Sequence, residues 1–149
     1  MKYINVFTLL FVIHCQTVVP WKSEWKTYEN SQVFIAAVTG KASEKAIDSG
    51  SLAMRRSTCV EATNLSSTSS KLTSMLVSFE NQELDESEIK DLGRLISTYK
   101  IKPKQEECQS TTEASFFSST GAWTNCQCLY RIDYPGGRKQ FQSDLTQAK

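Results

Sequence analysis

The side chains able to do chemistry in this chain of 149 residues are five cysteines, one histidine and 16 acids. Cys59, Cys108, Cys126 and Cys128 carry the most informative spacing, while the fifth, Cys15, stands beside the only histidine, His14. One C-x-C pair with two distant single cysteines is not the paired C-x-x-C spacing of structural zinc. The lack of any C-x-x-C also removes the dithiol redox motif. In an exported domain four such cysteines pair, and four permit three connectivities. Residues 125–134 alternate, with Cys126, Cys128, Tyr130, Ile132 and Tyr134 on one side, so both thiols share one face of an extended strand. Joining them to each other would need a strained kink. Each must reach back to Cys59 or Cys108, which leaves two connectivities. Closing about 67 residues between Cys59 and Cys126 removes roughly 4 kcal/mol of unfolded-chain entropy on the polymer model.

The beginning of the chain decides which of these groups remain. Met1-Lys2 followed by the apolar residues 3–13 is a positive n-region and a short h-region, the pattern of an export leader. That run falls short of the roughly 20 apolar residues a bilayer core requires. The expected cut follows Cys15, so that residues 1–15 are the signal peptide and 16–149 a single secreted domain; a cut as late as residue 20 competes. Lipidation of Cys15 is disfavoured because bulky His14 sits where a small residue belongs. Cleavage removes His14 and Lys2, leaving balanced charges and no histidine.

A mature chain without histidine excludes the Ser-His-Asp triad, the Cys-His dyad and histidine-ligated catalytic zinc. No H-E-x-x-H, G-x-S-x-G, Gly-rich phosphate loop or EF-hand loop occurs, and no cofactor or metal is expected. Balanced charge provides no bulk attraction to nucleic acid or an anionic membrane. No later apolar run reaches spanning length, so no membrane insertion is expected after cleavage. Catalysis by two carboxylates survives these exclusions. Glu61, Glu80, Glu107, Glu113 and Asp133 are formal candidates, but acids are ordinary surface residues and a non-enzyme is the simpler expectation.

Among groups suited to binding, Tyr130, Arg131, Tyr134, Arg138 and Lys139 lie close in sequence. Arg and Tyr are enriched in binding hot spots, and a terminal hairpin would gather these five into one contact face. Asn64-Leu65-Ser66 is a glycosylation acceptor pattern. Trp21, Trp25 and Trp123 are expected to fill the core.

The elements expected to position these residues are mostly helical. Trp21, Trp25, Tyr28, Ile35, Val38, Ala42 and Ala46 recur three or four apart, predicting a helix across residues 21–47. Ala62, Leu65, Ser69, Leu72, Leu76 and Phe79 do the same, predicting a second helix over 52–79 with Ser66 to Ser70 on its polar outer face. Asp85 and Glu88 form a capping box ahead of Ile89, Leu92, Leu95, Ile96 and Tyr99, and Pro103 marks the stop. The alternating segment 125–134, the turn Pro135-Gly136-Gly137 and a return strand from Arg138 to Phe141 predict a β-hairpin. The expected fold is thus mainly α: a small helical domain with a C-terminal β-hairpin tied on by two disulfides.

The whole-chain outline is a short leader, then a small neutral domain with four cysteines ending in Cys126-Gln127-Cys128-Leu129-Tyr130. It resembles the salivary effectors of blood-feeding flies, including a black-fly vasodilator type. The resemblance implies a non-enzymatic factor acting on a host's vessels or haemostasis, and carries over no functional residues. The functional expectation is a secreted, monomeric effector that binds a receptor or other extracellular protein. A carrier of a small hydrophobic ligand and a carboxylate-pair hydrolase are the alternatives.

Overall fold

The structure is a computed structural model that describes residues 19–29, 31–112 and 122–148. The proposed leader, His14, Cys15 and Glu113 lie outside these. In order, the elements are β1 (Glu24–Tyr28), β2 (Ser31–Lys41), α1 (Glu44–Asp48), α2 (Leu52–Ser66), α3 (Ser69–Phe79), α4 (Glu86–Thr98), β3 (Lys104–Ser110), β4 (Asn125–Ile132) and α5 (Gly137–Ala148). The strands form one antiparallel sheet in the order β1-β2-β4-β3. The class is therefore mixed α and β, which corrects the mainly helical expectation.

The largest correction falls on residues 21–47, which form β1, β2 and the short α1. Val33-Phe34-Ile35-Ala36-Ala37-Val38 is an unbroken apolar run, the pattern of a strand covered on both faces. Phe34, Ala36 and Val38 join the main core, while Val33 and Ile35 pack on the opposite face with Leu129. Every third or fourth residue of such a run is also apolar, so it mimics a helical stripe.

The predicted second helix is two helices, α2 and α3. Ser67 ends α2, its N–H and hydroxyl both donating to the Asn64 carbonyl, and Thr68 opens α3 from an extended conformation. Serine and threonine compete for backbone partners in this way and break helices. The inward face of α2 is Arg55, Cys59 and Thr63, whereas Leu65 is 68 % exposed, so the expected stripe was out of phase in its first half. The capping box of α4 is present: Asp85 Oδ1 accepts from the Glu88 N–H at 2.8 Å, and the Asp85 N–H donates to Glu88 Oε2 at 2.7 Å.

At the C-terminus the alternating strand and the glycine turn form, but the return strand does not. Gly136 and Gly137 adopt φ of 72° and 65°, left-handed values that glycine takes without strain. Helix α5 follows, burying Phe141, Asp144 and Leu145. The partners of β4 are β2 and β3, so there is no terminal hairpin.

The main core lies between one sheet face and helices α3, α4 and α5, with Phe34, Tyr130 and Ile132 meeting Leu72, Leu76, Leu92, Ile96 and Phe141. Trp25 joins it, 5.3 Å from Phe34 between ring centroids. Across the other face runs the segment before β1. Trp21 packs on Val33, Ile35 and Leu129, and its N–H and C=O are both bonded to the Gln127 side chain, at 2.6 and 2.9 Å.

Two disulfides join Cys59 to Cys126 and Cys108 to Cys128, one of the two connectivities left by the strand argument. The first ties α2 to β4. The second links neighbouring strands at directly opposed positions. Gly40 makes the first geometry accessible, since a Cβ there would lie 2.6 Å from the Cys59 carbonyl oxygen and 2.7 Å from Thr63 Cγ2. Two disulfides, and no described helix long and apolar enough to cross a membrane, are consistent with a secreted or extracellular protein.

Candidate functional site

Helix α2 lies over β2 and β4, and β3 projects beyond it as an edge strand of the sheet. Between them is an open groove of about 1140 Å³. The α2 wall presents Leu52, Arg56, Val60 and Asn64, one residue per turn along one side of the helix. Ser57 and Glu61 stand beside them; the β3 wall supplies Gln105, Glu106, Glu107 and Cys108, and Trp123 also lines the groove.

Both walls are held by links to β4. Cys59–Cys126 fastens the middle of α2, and Tyr130 fastens its end, its hydroxyl bridging Thr63 Oγ1 at 2.8 Å and Asn64 Oδ1 at 2.6 Å. Cys108–Cys128 fixes β3 against the same strand. These links make α2 parallel to β4 and antiparallel to β3. The groove accordingly has two unlike ends. At one, the Arg56 guanidinium lies 5.0 Å above the Trp123 ring, a cation–π contact, near the N-terminal half of α2. Toward the other, Glu61 of α2 and Glu106 and Glu107 of β3 line the groove from facing walls. Among the described residues, none of these three carboxylates has a basic partner within ion-pair distance.

The five residues expected to form a binding hairpin are not brought together. Tyr130 and Tyr134 are 2 % and 3 % exposed, and both hydroxyls are engaged, Tyr134 with Asp144 Oδ2 at 2.6 Å. Burial pushes the Tyr134 phenol far above its usual range, and the Asp144 carboxylate adds to the shift. Arg131 points to the opposite sheet face, paired with Asp133 at 2.7 Å and stacked 5.3 Å over Tyr28. Arg138 is on α5, bonded through Nε and one Nη to both oxygens of Glu80 at 2.8 and 3.0 Å. Lys139 is exposed on the same helix. A strand that places alternate side chains on opposite faces cannot present Tyr130 and Arg131 to one partner.

The candidate acids divide as sharply. Glu80 is occupied by Arg138, by Gln142 Nε2 at 3.1 Å and by Trp25 Nε1 at 3.0 Å. Burial alone would raise its pKa, but these bonds and the nearby guanidinium outweigh it and hold the carboxyl below its ordinary value. Asp133 is held by Arg131 and by Lys104 at 3.6 Å. Glu61 and Glu107 both line the groove, from different walls. No cluster of metal-ligating side chains converges among the described residues. No protein-family model, curated protein or solved structure matches the chain.

Sequence reasoning missed Arg56 and Trp123 as site residues. Their positions are 67 apart, and only the Cys59–Cys126 link, itself one of two open connectivities, hinted that these segments meet. Asn64 of the glycosylation pattern is exposed and lines the groove. Its Oδ1 accepts from the Tyr130 hydroxyl.

Proposed function

We propose that the chain is a secreted, non-enzymatic effector that binds an extracellular protein or receptor, and that the α2–β3 groove is its contact face. The groove itself carries this reading. It is concave and disulfide-framed, and it presents a Trp–Arg pair, two residue types enriched in binding hot spots, flanked by Leu52 and Val60. It is open rather than enclosed, which suits a segment of another protein better than a buried small molecule. The pocket inside the core bounded by Leu72, Leu76, Ile96, Ile101 and Ile132 measures only about 10 Å³, about the space of one water, so a hydrophobic-ligand carrier gains no support.

The resemblance to salivary effectors supplies the readout: saturable binding of labelled protein to vascular cells and relaxation of a preconstricted artery. Ser57 is exposed and lines the groove, whereas Ser143 is exposed on α5. Ser57→Arg is expected to lower binding and potency tenfold or more, with unchanged thermal stability. Ser143→Arg is expected to behave as wild type. Equal activity of both variants would refute the groove as the contact face.

One observation favours a second reading. Glu61 and Glu107, two of the five formal candidates for a carboxylate pair, line the same groove. That reading requires turnover on a glycan panel that disappears in Glu61→Gln and in Glu107→Gln.

A further inference from the structure

Resting on the groove as the contact face, we infer that its occupant is an extended, cationic peptide segment of the partner, added as a strand along Cys108–Ser110 of β3.

The backbone of β3 supplies the first support. Cys108 and Cys128 are opposed with Cα atoms 4.1 Å apart, the close spacing of a non-hydrogen-bonded antiparallel pair. In such a pair the N–H and C=O point away from the partner strand. Ser110, opposed to Cys126 two residues on, has the same orientation, and Thr111 between this pair and the turn points back, its N–H donating to the Asn125 carbonyl at 3.0 Å. Cys108 and Ser110 therefore direct backbone donors and acceptors outward, and among the described residues no strand pairs with that edge. A peptide strand antiparallel to β3 can take both.

The edge is also selectively blunted. The register shifts between Gln105 and Cys108, so Glu106 and Glu107 sit in a bulge, preceded by Pro103 and Lys104. Bulges, proline and charge are the devices that stop edge strands from aggregating. They confine regular pairing to the segment from Cys108 onward, which the Cys108–Cys128 link holds in register. The α2 wall from Leu52 to Asn64 is about 18 Å long at 1.5 Å per residue, matching about five residues of extended chain.

Charge then selects the occupant. Glu61 and Glu107 line the groove against the Arg56 guanidinium, which is already stacked on Trp123, and Glu106 lines it too while its charge also acts on Arg131. The C-terminal end of α2, which carries partial negative charge, lies at the same end as Glu61. A strand antiparallel to β3 would place its leading apolar side chain by Trp123 and a lysine or arginine two or four residues on toward Glu61 and Glu107.

The test uses three acetylated and amidated hexapeptides, titrated into the isotope-labelled mature protein and followed by amide chemical shifts. One has valine at its first position and lysine and arginine at its third and fifth with threonine between, so that all three face one side, one replaces its basic residues with glutamate, and one is the cationic peptide with alternate backbone amides methylated. The cationic peptide is expected to shift the amides of 108–110 and the Trp123 indole. The glutamate peptide should bind at least tenfold more weakly, and methylation should abolish the 108–110 shifts. Glu61→Gln with Glu107→Gln, both exposed positions, should weaken the cationic peptide about fivefold, the scale of two exposed ion pairs. Binding of the glutamate peptide in the groove with no binding of the cationic one would overturn the cationic assignment while leaving the groove as contact face. Equal binding of the methylated peptide would overturn strand addition. No groove shifts with any peptide would overturn the inference, and the Ser57→Arg activity result would then decide separately whether the groove binds at all.

Discussion

The Tyr134 hydroxyl donates to Asp144 Oδ2 at 2.6 Å, joining the chain just before α5 to the buried side of that helix. Asp144 is 2 % exposed and accepts also from the Tyr99 hydroxyl at 3.1 Å and from Gln140 Nε2 at 2.8 Å. Three neutral donors thus replace the water this carboxyl group loses on burial. Tyr134→Phe is expected to destabilise the fold by about 1–3 kcal/mol, the cost of leaving a buried acceptor short of a donor, measured by urea unfolding at pH 7. The phenol's raised pKa sets an alkaline limit as well. The folded state holds this proton more tightly than the unfolded chain, so its contribution is complete below the ordinary value of 10.0 and is lost as pH rises beyond it. Tyr134→Phe should therefore lose less stability than wild type above pH 10.

Glu80 sets the corresponding acid limit. Its lowered pKa means that the folded state favours the ionised form, so its contribution is present above the ordinary value of 4.5 and is lost as pH falls below that. Glu80→Gln is expected to melt at a lower temperature than wild type at pH 6. The gap should narrow as the pH falls below 4.5, followed by circular dichroism melts across that range.

The two disulfides should differ in their effect. On the chain-entropy model the Cys59–Cys126 loop, with a separation of 67, stabilises by about 4 kcal/mol, and the Cys108–Cys128 loop, with a separation of 20, by about 3 kcal/mol. Replacing each pair by serine and comparing denaturant midpoints tests the order. Loss of Cys108–Cys128 should also free β3 and speed amide exchange there, with little change in α2.

Gly40→Ala is expected to cost about 1–3 kcal/mol, in the range of overpacked cores. The added Cβ meets the backbone of α2 at 2.6 Å, so α2 must shift. Since α2 is a wall of the groove, that variant should also lose binding, whereas Gly93→Ala, with open space around it, should keep binding and gain up to about 1 kcal/mol of helix stability.

What the sequence revealed about this fold followed the range of the interactions involved. The capping box at Asp85 and Glu88 is local, spanning three residues, and α4 begins there. The alternation through Cys126 and Cys128 is also local, and it allowed only links back to Cys59 and Cys108. By contrast, β2 is a strand because β1 and β4 flank it, and neither neighbour is visible in the run Val33–Val38. The same run satisfies a helical period by chance. No return strand forms after Arg138, because the apolar positions there follow a helical period and not an alternating one. Phe141, Leu145 and Ala148 continue at helical spacing, and α5 uses that face. The groove was the least legible feature, because Arg56, Glu107 and Trp123 come to line one groove only once α2 packs on the sheet.

Carboxyl footprinting tests the central claim most directly. Protein free in solution and protein bound to vascular cells are labelled with a carbodiimide and glycine ethyl ester, and each acid is quantified by peptide mass. Binding through the groove predicts that Glu61, Glu106 and Glu107 lose most of their labelling when bound, while Glu86 and Asp91 on α4 label as before. Unchanged labelling of the three groove acids, with protection appearing on α4 instead, would contradict it.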